Sequence, residues 1–105
     1  MKIRRASIED LPQLVVLFEA YRAFYHKPSD FAGAHTFLEE RLKNGDSEIF
    51  VAENNEELAG FVQLYPIFSS TRLKRYWLLN DLFVMADDRG KGYSKQLIEA
   101  AKNLC

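Results

Sequence analysis

The sequence predicts one small α/β domain with its elements in the order β-α-α-β-β-β-α, and three stretches carry that prediction. Tyr76 to Val84 (YWLLNDLFV) is an aromatic and aliphatic run interrupted only by Asn80 and Asp81, which is the pattern of a strand covered on both faces. From Gly92 the period changes to that of a helix. Tyr93, Leu97, Ile98, Ala101, Leu104 and Cys105 share one face, and Lys91, Lys95, Glu99 and Lys102 share the other. The third stretch is a hairpin, in which Glu48 to Glu53 and Leu58 to Tyr65 flank the turn residues Asn54-Asn55-Glu56-Glu57.

The remaining elements follow in order. Lys2 to Ala6 alternates polar and apolar side chains and suggests a first strand. Ser7 then offers a helix cap, with Asp10 three residues on in a capping-box position. Leu11, Leu14, Val15, Phe18, Tyr21, Arg22 and Tyr25 recur at helical spacing, so a first helix is expected to end near His26, ahead of Pro28. Ser29 or Asp30 can cap a second helix with Ala34, Phe37, Leu38, the stem of Arg41 and Leu42 on its apolar face, closed by Asn44-Gly45. Pro66 is expected to end the third strand, and Ile67 to Lys74 to form a polar loop before the strand that starts at Arg75.

Composition bounds the function. Of 105 residues, 48% are hydrophobic and 13% aromatic, ample for a core, and a net charge of −1 gives no general electrostatic case for nucleic acid or membrane surfaces. His26, His35 and Cys105 are too few for a structural metal site or a disulfide framework within one chain, so no metal is expected. No apolar stretch approaches membrane-spanning length, and Met1-Lys2-Ile3-Arg4-Arg5 leads into a strand rather than a signal h-region, which makes the cytoplasm the expected location.

Arg89-Gly90-Lys91-Gly92 feeds the last helix, and that arrangement has a chemical reading. Amide N–H groups at a helix start lack intrahelical partners and sit at the positive end of the dipole, so a glycine-rich entry suits phosphate. Arg89, Lys91 and Lys95 add cationic charge around it. The GxxxxGK[ST] spacing of a Walker loop is absent, and Lys95 stands where a GxGxxG fingerprint needs its third glycine.

The run Asp81-Leu82-Phe83-Val84, then Asp88-Arg89-Gly90-Lys91-Gly92-Tyr93-Ser94, then Leu97-Ile98, resembles the strand-turn-helix core of the GNAT family of N-acetyltransferases. Residues Arg89 to Ser94 match that family's [QR]-x-x-G-x-[GA] signature except at the last position, where Ser94 is small. WLLNDLFV, GFVQLYPIFSS and FYHKPSD resemble its diamine and histone acetyltransferase-like subgroup. The resemblance implies a truncated acyl-CoA N-acyltransferase fold of the α/β (α+β) kind, a mostly antiparallel sheet flanked by helices. On that reading residues 1–105 are a single N-acetyltransferase domain lacking the family's C-terminal strands and helix, including the strand across the cofactor gap and a thiolate-protonating tyrosine.

The resemblance further implies acetyl-CoA as co-substrate and a small-molecule amine or lysine-bearing acceptor attacking the thioester directly. The backbone of Leu82, Phe83 and Val84 would pair with pantetheine, and Arg89, Gly90, Lys91, Gly92, Tyr93, Ser94 and Lys95 would hold the pyrophosphate. Asp81 is either a fold-supporting carboxylate or the group that accepts the ammonium proton through water; Asn80 beside it stands where the subgroup often has glutamate. Tyr21, Phe24 and Tyr25 are either core or the wall of the acceptor site. Trp77 reads as core, His26 and His35 as surface. A non-catalytic remnant that binds CoA or self-associates is the alternative function. Because Tyr76 to Val84 would keep an unpaired edge, a homo-oligomer is expected.

Overall fold

The computed structural model describes residues 2–104. Its elements are β1 (Lys2–Arg5), α1 (Leu11–Phe24), α2 (Phe31–Asn44), β2 (Glu48–Asn54), β3 (Glu57–Ser69), β4 (Lys74–Val84) and α3 (Tyr93–Leu104), with short 3-10 turns at Ile8–Asp10 and Ala86–Asp88. The order matches the sequence reading, and the four strands form one antiparallel sheet in the order β1-β2-β3-β4. Cys105, expected on the last helix, lies outside the described residues.

Strand alternation sorts the apolar side chains onto two faces. Ile49, Val51, Phe61 and Phe83 meet Leu11, Leu14, Leu17, Ala34 and Leu38 of the two N-terminal helices and their approach. Ala52, Val62, Leu64 and Val84 meet Tyr93, Leu97 and Ala101 of α3. Local signals set the helix ends. Asp10 accepts the Ser7 N–H at 2.7 Å, the Asp30 carboxylate accepts the Gly33 N–H at 2.9 Å, and Gly45 closes α2 at φ 64°.

Three expectations are corrected. Pro66 does not end β3. Pairing with β2 stops at Leu64, so beyond it β3 has a neighbour on one side only, and a proline without N–H is accommodated opposite Trp77. Only Ser70 to Leu73 forms the turn, because Ile67, Phe68 and Ser69 continue β3 against Tyr76, Arg75 and Lys74. Nor is β4 covered on both faces along its length. Asp81, Phe83 and Val84 are buried, whereas Tyr76, Leu78 and Leu79 are exposed and Trp77 is half-buried under the Arg75 guanidinium. The hairpin beyond Leu64 extends past the helices, so a uniformly apolar run meets two environments.

The boundary between them is a β-bulge. Gln63 pairs with Asp81 and Leu64 with Leu79, leaving Asn80 as the extra residue. The bulge shifts the alternation by one. Asp81 and Phe83 thereby face α1, while Leu82 and Val84 face α3.

Candidate active site

A cleft of about 280 Å³ opens at the C-terminal end of β4. It is lined by Tyr21, Phe24 and Tyr25 of α1 and its end, Leu82, Phe83 and Val84 of β4, and Asp88, Arg89, Gly90, Tyr93 and Ser94 of the turn and helix that follow. Residues expected on the acceptor side and residues expected on the co-substrate side therefore share one wall-to-wall space. Asn80, Asp81, Lys91, Gly92 and Lys95 are not among its lining residues.

The backbone of β4 offers alternate groups to this cleft. Met85 N–H donates to the Ala59 carbonyl at 2.8 Å, so residues 59 and 85 form a hydrogen-bonded pair and the next pair, Gly60 and Val84, does not. A Cβ on Gly60 would fall 2.8 Å from the Phe83 carbonyl oxygen, consistent with Phe83 directing its polar groups at β3. Leu82 and Val84 thus turn their N–H and C=O outward from the sheet, and the Val84 carbonyl is taken by Arg89 Nε at 3.0 Å.

The glycine turn has the conformation its composition suggests. Gly90 and Gly92 sit at φ 85° and 86°, values an L side chain rarely adopts. The Gln96 N–H donates to the Gly92 carbonyl at 3.2 Å, so the amides of Tyr93, Ser94 and Lys95 precede the first turn's closure, as at any helix start. Side-chain charge is arranged less simply. Arg89 donates from Nε to the Val84 carbonyl at 3.0 Å and lays its guanidinium over Phe24 and Phe83, 5.4 Å from each ring. Lys91 pairs with Asp88 at 3.4 Å, and Lys95 is exposed.

Asp81 anchors a buried polar chain beside the cleft. Its Oδ1 accepts from the Tyr21 hydroxyl at 2.8 Å and from Asn80 Nδ2 at 3.1 Å; its Oδ2 accepts from Gln63 Nε2 at 3.0 Å. Gln63, with no exposed surface, accepts in turn from the Ser47 hydroxyl at 3.0 Å. Burial, followed by the hydrogen bond to Asp81, keeps the Tyr21 phenol protonated well above its ordinary range. Burial and the Asp81 charge push Tyr65 up to about 12. The sequence reading passed over Gln63, Ser47 and Tyr65. A lone amide inside the apolar run GFVQLY was the available signal, since a buried amide must find partners.

Comparison with known proteins gives this cleft its context. The model of the acetyltransferase (GNAT) family matches residues 14–105. The chain belongs to that family. It is 48% identical over 103 residues to YhfO, an uncharacterised N-acetyltransferase of Bacillus subtilis, covering 98% of this chain and 69% of that protein. A probable acetyltransferase of Haemophilus influenzae is 36% identical over 104 residues, with 98% and 71% covered. The crystal structure of a probable acetyltransferase superposes with a TM-score of 0.93 at 42% identity, over 99% of this chain and 70% of that one. In this GNAT chain the family match spans every residue lining the cleft.

No helix of the described residues is long and apolar enough to cross a membrane. Among the described residues, no group of three or more His, Cys, Asp or Glu could hold a metal ion.

Proposed function

We propose that this GNAT acetyltransferase takes its acetyl group from acetyl-CoA and delivers it to a primary amine, whether a polyamine, a small amine or a lysine side chain, by direct attack on the thioester. The observation that carries the reading is the shared cleft, where outward-facing backbone groups of Leu82 and Val84 meet a glycine turn at a helix start and an aromatic wall. Pantetheine amides pair with Leu82 and Val84, whose free N–H groups also suit the developing oxyanion of the thioester carbonyl. The pyrophosphate sits on the amides from Gly90 to Lys95, with Lys91 and Lys95 as the charges at its rim.

Asp81 serves as the proton acceptor for the attacking amine, held in place by Asn80 and Gln63. Phe24 and Tyr25 shape the acceptor side. The chain acts as one N-acetyltransferase domain, in the cytoplasm, as a homo-oligomer.

Substitution at the turn tests this. Gly92 lies at φ 86° with no atom within 4 Å of an added Cβ, so a side chain there is opposed by the backbone rather than by crowding. Forcing a β-branched residue into that conformation costs about 1–2 kcal/mol and blocks close approach of phosphate. Gly92→Val should bind CoA roughly tenfold or more weakly by calorimetry, at unchanged circular dichroism. Equal affinity in the variant and parent would remove the turn from the binding site.

A further inference from the structure

Asp81 is 7% exposed and is absent from the cleft lining, yet the proposed reaction needs a proton to reach it. The side chains of Tyr21, Gln63 and Asn80 donate to it within 3.1 Å, with the Tyr65 hydroxyl also interacting with it, and they differ in where they stand. Asn80 sits on the bulge and Gln63 is wholly enclosed, but Tyr21 lines the cleft while its hydroxyl donates to Asp81 Oδ1 at 2.8 Å. Among the described residues that line the cleft, Tyr21 is the one that donates a hydrogen bond to that carboxylate.

We infer that Tyr21 is a catalytic residue that relays the acceptor's proton to Asp81, so the carboxylate acts through a phenol rather than through ordered water. This rests on the acetyl-transfer reading above. Starting from the neutral amine, the nitrogen lone pair forms the C–N bond to the thioester carbon. The N–H proton passes to Tyr21 Oη as the Tyr21 proton passes to Asp81 Oδ1, so no free phenolate forms. Collapse breaks the C–S bond; the thiolate takes up one proton from solvent and Asp81 later returns one by the same route. Amine and thioester thus become amide and thiol with no net gain of protons.

The surroundings are built for such a relay. A phenol that strongly resists ionisation does not linger as a phenolate between the two transfers, and burial beside a carboxylate gives Tyr21 that property. The ring is fixed by edge contacts with Phe61 at 5.5 Å, Phe83 at 5.8 Å and Tyr25 at 5.3 Å between centroids. Gln63, itself held by Ser47, fixes the far oxygen of Asp81 and leaves Oδ1 toward Tyr21. Gln63 and Ser47 are accordingly positioning residues.

The test compares two nucleophiles with acetyl-CoA as donor. Spermidine carries strongly held protons that must be removed as the C–N bond forms. Hydroxylamine holds its proton weakly enough for water to take it. Tyr21→Phe keeps every ring contact and removes only the hydroxyl; we expect its rate with spermidine to fall about 10²-fold or more, the usual scale of a lost general base, and its rate with hydroxylamine to change less than about threefold. Asp81→Asn should give the same split, and Tyr65→Phe, whose ring does not line the cleft, should give none.

Equal rates in the parent and Tyr21→Phe, an equal fall with both nucleophiles, or the split arising in Tyr65→Phe instead would each overturn the relay while leaving acetyl transfer intact. A parent that binds CoA yet acetylates neither nucleophile overturns the relay and the proposed transfer together.

Discussion

The two edges of the sheet are built on opposite plans. β1 is four residues long, and its Arg4 guanidinium is held by both oxygens of Asp10 and by Glu53, each at 2.7 Å. A short, charged, ion-paired strand offers little for another chain to pair with. β4 is eleven residues long and pairs, among the described residues, with β3 alone. Its outer half exposes Tyr76, Leu78 and Leu79, and its inner half turns Leu82 and Val84 toward the cleft. One edge terminates the sheet. The other has β3 as its one neighbour among the described residues, and the bulge at Asn80 divides it into an outer half with exposed apolar side chains and an inner half that lines the cleft.

The largest effect that would break this contrast concerns assembly. If β4 is the recruiting edge, the chain should scatter light as a dimer or larger species at tens of micromolar, and Leu78→Lys should weaken that association tenfold or more by placing a charge on the edge. Arg5→Glu on β1 should leave the mass unchanged. A parent that stays monomeric under these conditions, or an Arg5→Glu variant that dissociates, would reverse the assignment of the two edges.

A second comparison lies within β4 itself. Phe83 is buried against α1 and Phe61, with Tyr21 at 5.8 Å between ring centroids, whereas Leu78 is 45% exposed. Phe83→Ala should therefore lower unfolding stability by about 3 kcal/mol, and Leu78→Ala by about 0.5 kcal/mol or less. Urea denaturation with an unchanged slope measures both. Similar losses at the two positions would mean that the outer half is as well packed as the inner.

The same strand marks how far sequence alone could be read. Helical spacing found most of each helix's buried face because each buries an apolar stripe against one sheet, although on α1 it took in Tyr25, which lies past the helix end and is exposed, and passed over the buried Leu17; local caps at Asp30 and Gly45 marked the ends of α2. The run Tyr76 to Val84 was legible as a strand, but not its uneven burial. That depends on how far β3 and β4 outrun the helices, which no residue in the run encodes. Pro66 misled because a proline is judged by its own missing N–H, whereas its tolerance here depends on β2 having ended two residues earlier.

The site divided in a similar way. Gly90 and Gly92 announce their positive φ through the lack of a Cβ, whereas the aromatic end of α1, readable from its spacing as core or as wall, lines the cleft. The Ser47-Gln63-Asp81-Tyr21 chain joins residues as far apart as 60 positions and forms only once β3 and β4 are in register. Arg89 was read as a phosphate-facing charge from its place in the turn; its fold-back onto Val84, Phe24 and Phe83 depends on aromatic neighbours supplied by α1 and β4.

The smallest predicted effect returns to the charged edge. The hydrogen bond from Arg4 holds the Asp10 carboxyl below its ordinary range, against the upward push of burial and with help from the Ser7 N–H. A depressed carboxylate contributes stability that is fully present above its unfolded value of about 4 and is lost as pH falls through the folded value. Arg4→Met keeps the aliphatic stem and removes the partner, which should cost about 1 kcal/mol at pH 7 for a pair of this partial exposure. That difference should shrink as pH drops below about 4, because protonation of Asp10 then removes the same interaction from the parent. Urea midpoints of both proteins at pH 7 and near pH 3 measure it. A gap between them that stays constant across that range would assign the stability of the β1 edge to the packing of the Arg4 stem and to Glu53, and not to the Arg4–Asp10 charge pair.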